Sequence, residues 1–347
     1  MAYLDQTALN DLQDDSRVQT EMRRLNHGLI DFAQWMNGGA DWLTSMMRGK
    51  LQDLTNRSFE LPALKEDVIT VANAESFDIP INASESTTVT ATKITLFSGY
   101  RYNPYQHSSN LIPSDEYRRN KMMEIFKAMA KEKEAQIQTF LETKKTQKLV
   151  TTGAPAGYTF DETPDELQIA LASQGDIMLT TLDTIMKQND LNNMNAIAGS
   201  YGLQHVVNEY TKYGANNDKN LQNQILPVDV FLSNQITNTE RFTGYIGQSG
   251  AMAMVENYLP EFVAGESVDN AIWGITDQAV PFLNERIMMY QNRGKANATT
   301  PGTVTPENIM SVFFEEAFIS KFYLIEKFNS DRANRVGDIV RIEGQTS

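Results

Sequence analysis

The stretch PSDEYRRNKMMEIFKAMAKEKEAQIQTFLETKKTQK, residues 113–148, decides the fold, because it is a long helical pattern in a chain otherwise rich in turn residues. It opens with a proline, a serine suited to the N-cap, and two acidic residues suited to the positive end of the helix dipole. An apolar stripe at helical spacing, interrupted at Lys133, comprises Met122, Phe126, Met129, Ile137 and Leu141. At about 1.5 Å per residue the helix would be roughly 50 Å long. The pattern predicts a spine that carries extended arms, or alternatively a solvated helix flanking a core.

Composition indicates a folded protein. The 347 residues are 41% hydrophobic and 21% charged, which suits one large or two ordinary domains. No apolar run is long enough to predict a membrane span, and the first residues do not have the pattern of a secretory signal. The chain has no cysteine, which excludes disulfides and thiolate metal sites. Synthesis in the cytoplasm is the simplest inference.

The formal net charge of −14 argues against a general nucleic-acid binder, which needs cations to displace the counterions of the phosphates. The same charge is compatible with a container for nucleic acid. An acidic inner wall would repel phosphate and let packed DNA move without sticking.

The segment before the spine divides into two parts. Residues 1–57 have mainly helical patterns, one ending at Gly38-Gly39 and a second, short one beginning near Ala40. From Ser58 the period becomes strand-like, but the run TTVTATKITLF, residues 87–97, alternates only imperfectly. A long hairpin with so little apolar surface is not stable alone. We therefore expect it to lie on something, and a neighbouring subunit is a good candidate.

The segment SGYRYNPYQHSSN, residues 98–110, returns the chain to the spine. Its tyrosines, Tyr100, Tyr102 and Tyr105, are amphipathic and suit an interface between subunits. An ordinary aromatic-rich loop is the alternative interpretation.

After the spine the patterns are mixed. An amphipathic helix is predicted over about 176–189, and the run 226–232 is typical of a buried strand. Residues 244–300 are rich in Gly and Pro and are predicted to be mainly loops. Two apolar strands, 313–328 and 336–342, are predicted near the C-terminus.

The search for catalytic chemistry is negative. The three histidines have no metal-ligand spacing and are interpreted as surface or packing residues: His27, His107 and His205. The segment GYIGQSG, Gly244–Gly250, has no lysine for a phosphate loop, and an alanine follows it where a nucleophile elbow around Ser249 needs glycine. It is predicted to be a flexible surface loop. We predict no enzymatic activity, no cofactor and no metal.

The order of these parts resembles the HK97-type major capsid protein of tailed bacteriophages. The resemblance implies an α+β, HK97-like capsid fold with an N-terminal arm, an extended β-hairpin loop, a long spine helix and a mixed axial domain. On this sequence the parts are an N-terminal arm 1–57, the extended loop 58–112, a peripheral domain with the spine helix 113–160, the axial domain 161–300, and C-terminal strands 301–347 that return to the peripheral domain.

The resemblance also implies function and partners. The chain would assemble with itself into pentamers and hexamers of an icosahedral shell that encloses double-stranded DNA. It would be made in the bacterial host cytoplasm and located in the virion. Further partners would be neighbouring capsomers and portal, scaffolding and decoration proteins, with packaged DNA close by and no membrane. The residues expected at contacts between subunits are Lys93, Tyr100, Tyr102, Tyr105, Arg118 and Arg119.

Some members of this family cross-link a lysine of the extended loop to an asparagine of a neighbour. Lys93 is the only lysine in the strand-rich part of the loop, but no asparagine partner can be named. Two rival functions stay open. One is an encapsulin-like compartment that holds a protein cargo. The other is a soluble enzyme or binding protein whose polar residues converge only in three dimensions.

Overall fold

The computed structural model describes residues 27–52, 58–64, 86–102, 114–171, 178–191, 196–214, 229–238, 240–257, 267–268, 271–279, 286–295, 312–327 and 335–345. Its helices are α1 (Gly28–Gly38), α2 (Ser45–Gln52), α3 (Ser114–Lys144), α4 (Met178–Gln188) and α5 (Tyr201–Gly214). No helix in these ranges is long and apolar enough to cross a membrane.

The strands of the described ranges form two sheets. A seven-stranded sheet has the order β1-β2-β12-β11-β10-β9, with β8 pairing β12 beyond the end of β11. Its strands are β1 (Ser58–Leu64), β2 (Ser86–Tyr102), β8 (Met252–Glu256), β9 (Ser267–Val268), β10 (Ala271–Ala279), β11 (Arg286–Lys295) and β12 (Val312–Glu326). A six-stranded sheet has the order β3-β4-β13-β7-β5-β6. Its strands are β3 (Tyr158–Asp161), β4 (Glu166–Ala170), β5 (Ala196–Gly199), β6 (Asp229–Leu232), β7 (Phe242–Gly247) and β13 (Ile339–Gln345).

The predicted spine is confirmed as α3, a helix of 31 residues. It ends at Lys144, four residues before the predicted end at Lys148, because the chain then pairs with β13. The Thr146 amide donates to the Ile339 carbonyl at 2.7 Å, and the Thr146 hydroxyl accepts from the Gly337 amide at 2.8 Å. These hydrogen bonds to β13 take the place of helical ones, so the helix ends before Thr146.

The main core lies between the two sheets and contains α1 and α3. Phe126 of α3 meets Phe318 of β12 edge to face, with ring centroids 5.1 Å apart. A second core lies on the opposite face of the six-stranded sheet, where α4 and α5 cover Ile197, Phe242 and Ile342. The two strands β5 and β7 of the six-stranded sheet are therefore buried on both faces, whereas β3 and β6 at its edges are partly exposed.

The helices expected beside the spine are present with shifted ends. The pattern ending at Gly38-Gly39 is α1, and its apolar residues are buried except for the half-buried Trp35. The second helix begins at Ser45 rather than near Ala40. The helix predicted over 176–189 is confirmed as α4. Residues 1–26 of the predicted arm lie outside the described residues.

Strand β2 changes its buried face part-way along, which explains the imperfect alternation of TTVTATKITLF. Ala91 is buried on the face covered by α2 and by Trp42 and Leu43, while Leu96 is buried on the opposite face against α3. Successive strand residues point to opposite faces, so the apolar position moves from odd to even numbers near Lys93. Neither face of β2 is covered along its whole length.

Two central predictions are wrong. The strand predicted at 226–232 is present in its described part, Asp229–Leu232, but it is not buried. It lies at the edge of the six-stranded sheet with exposed or half-buried side chains, because within the described residues β5 is its one partner strand. The segment Gly244–Gly250 is not a surface loop, since β7 through Gly247 is entirely buried. A Cβ at Gly247 would lie 2.7 Å from Met36 Sδ, so this glycine permits α1 to pack closely on the sheet.

The remainder of 244–300 is also more ordered than predicted, with β8, β9, β10 and β11 in its described residues. Alternation was too weak there to indicate these strands, of which β8 and β11 pair with the distant β12, and β10 with β9 and β11. Both C-terminal strands are confirmed, but they lie in different sheets: β12 beside β2, and β13 between β4 and β7. The five domain ranges remain a prediction, since strands from 161–300 occur in both sheets.

Candidate functional site

The predicted contact residues fall on β2 and on the first turns of α3. Lys93 and Tyr100 lie on opposite faces of β2, because they are an odd number of residues apart. Tyr100 is half-buried and packs on the core beside α3, so part of its ring contacts residues of its own subunit. Tyr102 ends β2 opposite Phe314.

The other predicted contact residues already have partners within the chain or lie outside the described residues. Arg118 and Arg119 are half-buried, and each already interacts with another group of the chain, as Lys93 does. Tyr105 lies outside the described residues, as does His107. The remaining histidines agree with their predicted roles: His205 is exposed on α5, and His27 Nδ1 lies 2.7 Å from Asp31 Oδ2 at the start of α1. This hydrogen bond raises the pKa of His27, although burial opposes it.

The sheet formed by the hairpin carries an open apolar position. Phe97 of β2 is 67% exposed, between the exposed Thr95 and Gly99 and opposite the half-buried Ile319 of β12. On the other face, the exposed residues of the hairpin form a row beyond the part of β2 that packs on α3, and all but the proline are polar: Ser58, Glu60, Pro62, Thr88, Thr90 and Thr92. One chain thus leaves part of each face of its hairpin sheet uncovered.

The middle of the spine holds α1 through a buried carboxylate. Glu134 Oε1 accepts the Leu29 amide at 2.9 Å, and Oε2 accepts the Ser233 hydroxyl at 2.8 Å. The side chain is fully buried and also accepts the Ile30 amide. Glu134 therefore caps α1 from another helix and places a negative charge at its positive end. Burial raises the pKa of Glu134, and these hydrogen bonds oppose the rise.

The C-terminal end of the spine is fixed to the six-stranded sheet by ion pairs. Glu142 accepts Arg341 Nη1 at 2.7 Å, Lys145 Nζ at 2.5 Å and the Tyr245 hydroxyl at 2.7 Å. Burial alone would raise the pKa of Glu142, but the hydrogen bonds from Lys145 and Tyr245 and the charge of Arg341 outweigh it and lower the pKa. We call this cluster, together with Glu166 and Glu343, the spine joint.

Lys133 is buried completely in the apolar stripe of the spine. Its Nζ lies 5.1 Å from the centroid of the Phe322 ring, and Glu256 of β8 attracts it. Burial lowers the pKa of Lys133 to about 7 despite this carboxylate. The charged form of Lys133 therefore opposes folding, because an unfolded chain leaves the ammonium in water.

We expect Lys133→Met to stabilise the chain by about 2 kcal/mol at about pH 6, because methionine keeps the apolar stem and removes a buried charge. The free-energy cost of burying the charged lysine is complete below the folded pKa of Lys133, about 7. This cost disappears as the pH rises toward 10.5, the ordinary pKa of lysine. The gain should therefore vanish near about pH 10. Urea unfolding at both pH values measures it. The exposed neighbour Lys131→Met is the control and should change stability little; an equal gain at both pH values would refute the explanation.

Sequence reasoning missed these buried charges. It noted the interruption of the stripe at Lys133 but assigned no charged residue of the helix to the core. The signal was present, because Lys133 follows Met129 by four residues and precedes Ile137 by four. The pairings of Glu134 with Ser233 and of Glu142 with Arg341 carried no such signal, since these partners lie 99 and 199 residues away. Within the described ranges, no three His, Asp or Glu residues converge to hold a metal ion.

No protein-family model and no curated protein matches this sequence. Solved structures do match by fold. A chain from the capsid structure of the cyanophage P-SCSP1u aligns at a TM-score of 0.50 and 10% identity, covering 85% of this chain and 86% of that one. The chain has a phage capsid fold. At 10% identity, the fold is what the two chains share.

Two further phage structures resemble this capsid-fold chain more distantly. The structure from Mycobacterium phage Che8 aligns at a TM-score of 0.48 and 10% identity, covering 83% of this chain and 85% of that one. The asymmetric unit of the mature capsid of bacteriophage PhiM1 aligns at 0.43 and 9% identity, covering 84% and 83%. The mixed α+β class predicted from the sequence is confirmed.

Proposed function

We propose that this chain is a major capsid protein that assembles into pentamers and hexamers of an icosahedral shell around double-stranded DNA. The observation that carries the proposal is the shared fold with a chain of the P-SCSP1u capsid over 85% of the present chain. The arrangement of hairpin, spine and two sheets supports it. The proposed location is the virion, after synthesis in the host cytoplasm, and the proposed role is structural rather than enzymatic.

The proposal keeps the HK97-like division of the chain. The arm comprises residues 1–57 and the extended loop residues 58–112, of which β1 and β2 form the described part. The peripheral domain, 113–160, contains α3 as its spine. Residues 161–300 form the axial domain, and 301–347 return to the peripheral domain. In this proposal Lys93, Tyr100, Tyr102, Tyr105, Arg118 and Arg119 lie near subunit boundaries.

Assembly would depend on many weak contacts. The uncovered faces of the hairpin sheet offer one surface, and the charged outer side of α3 offers ion pairs worth under about 1 kcal/mol each. Closure of a symmetric shell makes such contacts cooperative, so none needs to be strong. Portal, scaffolding and decoration proteins are the proposed further partners, and an acidic wall would keep packaged DNA from adhering.

We expect the purified chain to form megadalton particles in light scattering, and Phe97→Asp to leave chains of 39.1 kDa or small oligomers. Phe97 is 67% exposed, so the substitution should cost the folded subunit little while placing a charge in each repeated contact. Val150→Asp is the matched control, an exposed apolar position beside Asn189 and distant in sequence from the hairpin. If Phe97→Asp forms normal particles, the surface around Phe97 is not a contact between subunits. If the wild type is monomeric, the chain does not form a shell by itself.

A further inference from the structure

The spine joint contains more carboxyl groups than cations. Glu166 of β4 is 3% exposed and Glu343 of β13 is 5% exposed, and their side chains are hydrogen-bonded to each other. Two ionised carboxylates cannot form that bond, because neither has a hydrogen to donate. The contact therefore requires a proton on Glu166, which lies on the same face of the β4–β13 pair as Glu343 and donates to it.

The register of the sheet explains how the pair forms. Arg341 faces Tyr245 across the β13–β7 ladder, and its Nε lies 3.1 Å from Glu166 Oε2 on the other side. Glu343 is two residues beyond Arg341 on β13, so its side chain emerges on the same face. Glu142 and Lys145 lie over this row from the end of the spine.

The charges of the spine joint balance only with that proton in place. The charged and titratable groups that face the pair come from α3 and its end, β3, β7 and β13. Gln168 of β4 also donates to Asp161 at 3.2 Å and connects it to the cluster. These groups are Glu142, Lys145, Asp161, Tyr245 and Arg341. In the spine joint itself, two cations, Lys145 and Arg341, face three carboxyls: Glu142, whose side chain is 39% exposed, and the buried Glu166 and Glu343. A second ionisation of the buried pair therefore leaves a buried charge without a compensating cation.

We propose that the Glu166–Glu343 pair is a proton-controlled latch that fastens β4 and β13 beneath the end of the spine and releases them when its proton leaves. The consequence is a joint between the spine and the six-stranded sheet that is tight in mildly acidic solution and loose in mildly alkaline solution. The latch belongs to a single subunit, so it does not depend on the proposed shell.

The pH range follows from the energetics of the pair. Burial, and then the hydrogen bond with Glu343, raises the pKa of Glu166 from 4.5 to about 7. A carboxyl whose folded pKa is raised contributes stability that is complete below its unfolded pKa and is lost as the pH rises through the folded value. Release should therefore occur as the pH passes about 7.

Amide hydrogen exchange followed by mass spectrometry tests the latch, with the intrinsic exchange rate at each pH divided out. Between about pH 5.5 and about pH 8, protection of β4 and β13 should fall about tenfold or more, because one pKa unit corresponds to a tenfold change. Protection of β5 and β6, at the far edge of the same sheet, should stay constant.

Glu343→Gln supplies the decisive comparison. Its amide donates to Glu166 without a proton on that carboxyl and leaves two carboxylates facing two cations, so protection of β4 and β13 should become independent of pH over this range. Glu162→Gln, an exposed position in the turn between β3 and β4, is the matched control and should keep the wild-type dependence.

The proposal is overturned by a wild-type chain whose β4 and β13 lose no protection, or lose it equally with β5 and β6. Glu343→Gln with an undiminished pH dependence also overturns it. If Glu343→Gln does not fold, the comparison of strands within the wild type still decides the question. The exchange measurement can be made on single subunits or on assembled particles. A failure of the latch is therefore distinguishable from a failure of shell assembly.

Discussion

Replacing residues 65–85 with the dipeptide Asn-Gly should give a chain that folds normally and closes no shells. Leu64 and Ser86 are directly opposite each other in the β1–β2 ladder, so a two-residue turn can join them. The replacement keeps Leu61 and Ala91, which are buried with Tyr323 in the core beneath α2. The expected loss is therefore a loss of assembly with the stability of the subunit retained.

This replacement is narrower than a deletion of residues 66–95, which would remove most of the predicted hairpin. That deletion would remove the strand residues that pair with β12 from Lys93 onward and would damage the subunit itself. Circular dichroism and thermal unfolding should match the wild type, while light scattering should show no megadalton particles. A control chain carries a flexible Gly-Ser segment of the same length in place of residues 65–85, which separates the effect of the lost sequence from that of the shortened connection. Shells of normal size from the Asn-Gly chain would show that overlap by this segment is not needed.

Glu134→Ala should lower the free energy of unfolding by about 3 kcal/mol, because it leaves buried donors of α1 and Ser233 without their carboxylate. The loss should be visible first as faster amide exchange in α1, whose Leu29 amide is bonded to Glu134 at 2.9 Å. Urea unfolding of the unassembled chain measures the total effect.

Two variants separate this role from general effects of substitution on α3. Glu132→Ala removes an exposed carboxylate whose partner is Gln136 and should cost below about 0.5 kcal/mol. Glu134→Gln should be intermediate, since its oxygen can accept one bond while its amide group faces other donors. Equal effects of Glu132→Ala and Glu134→Ala would contradict the capping role.

The spine was predictable because its information is local. The stripe from Met122 to Leu141 repeats at helical spacing, and only the last turn was misplaced, where Thr146 pairs with Ile339. The hairpin was also predictable as a poorly cored segment, although its base packs on its own subunit through Leu61 and Ala91. Its remaining part, 65–85, lies outside the described residues, so overlap onto a neighbour stays a prediction.

The order of strands and the buried charges were not predictable, because they depend on distant partners. Phe97 and Ile319 pair across more than half of the chain, and no local pattern indicates it. Gly244 and Gly247 indicated a loop by composition, whereas close packing of α1 and β5 on β7 is what favours glycine there. The pairing of Arg341 with Glu142 likewise has no local pattern, because 199 residues separate them.

The central claim is that copies of this chain cover one another's open surfaces and close into a shell. Negative-stain electron microscopy of the purified chain tests it most directly. The claim predicts closed, uniform particles built from rings of five and six subunits. A field of single subunits or small oligomers, with no closed particles under any assembly condition, would contradict it.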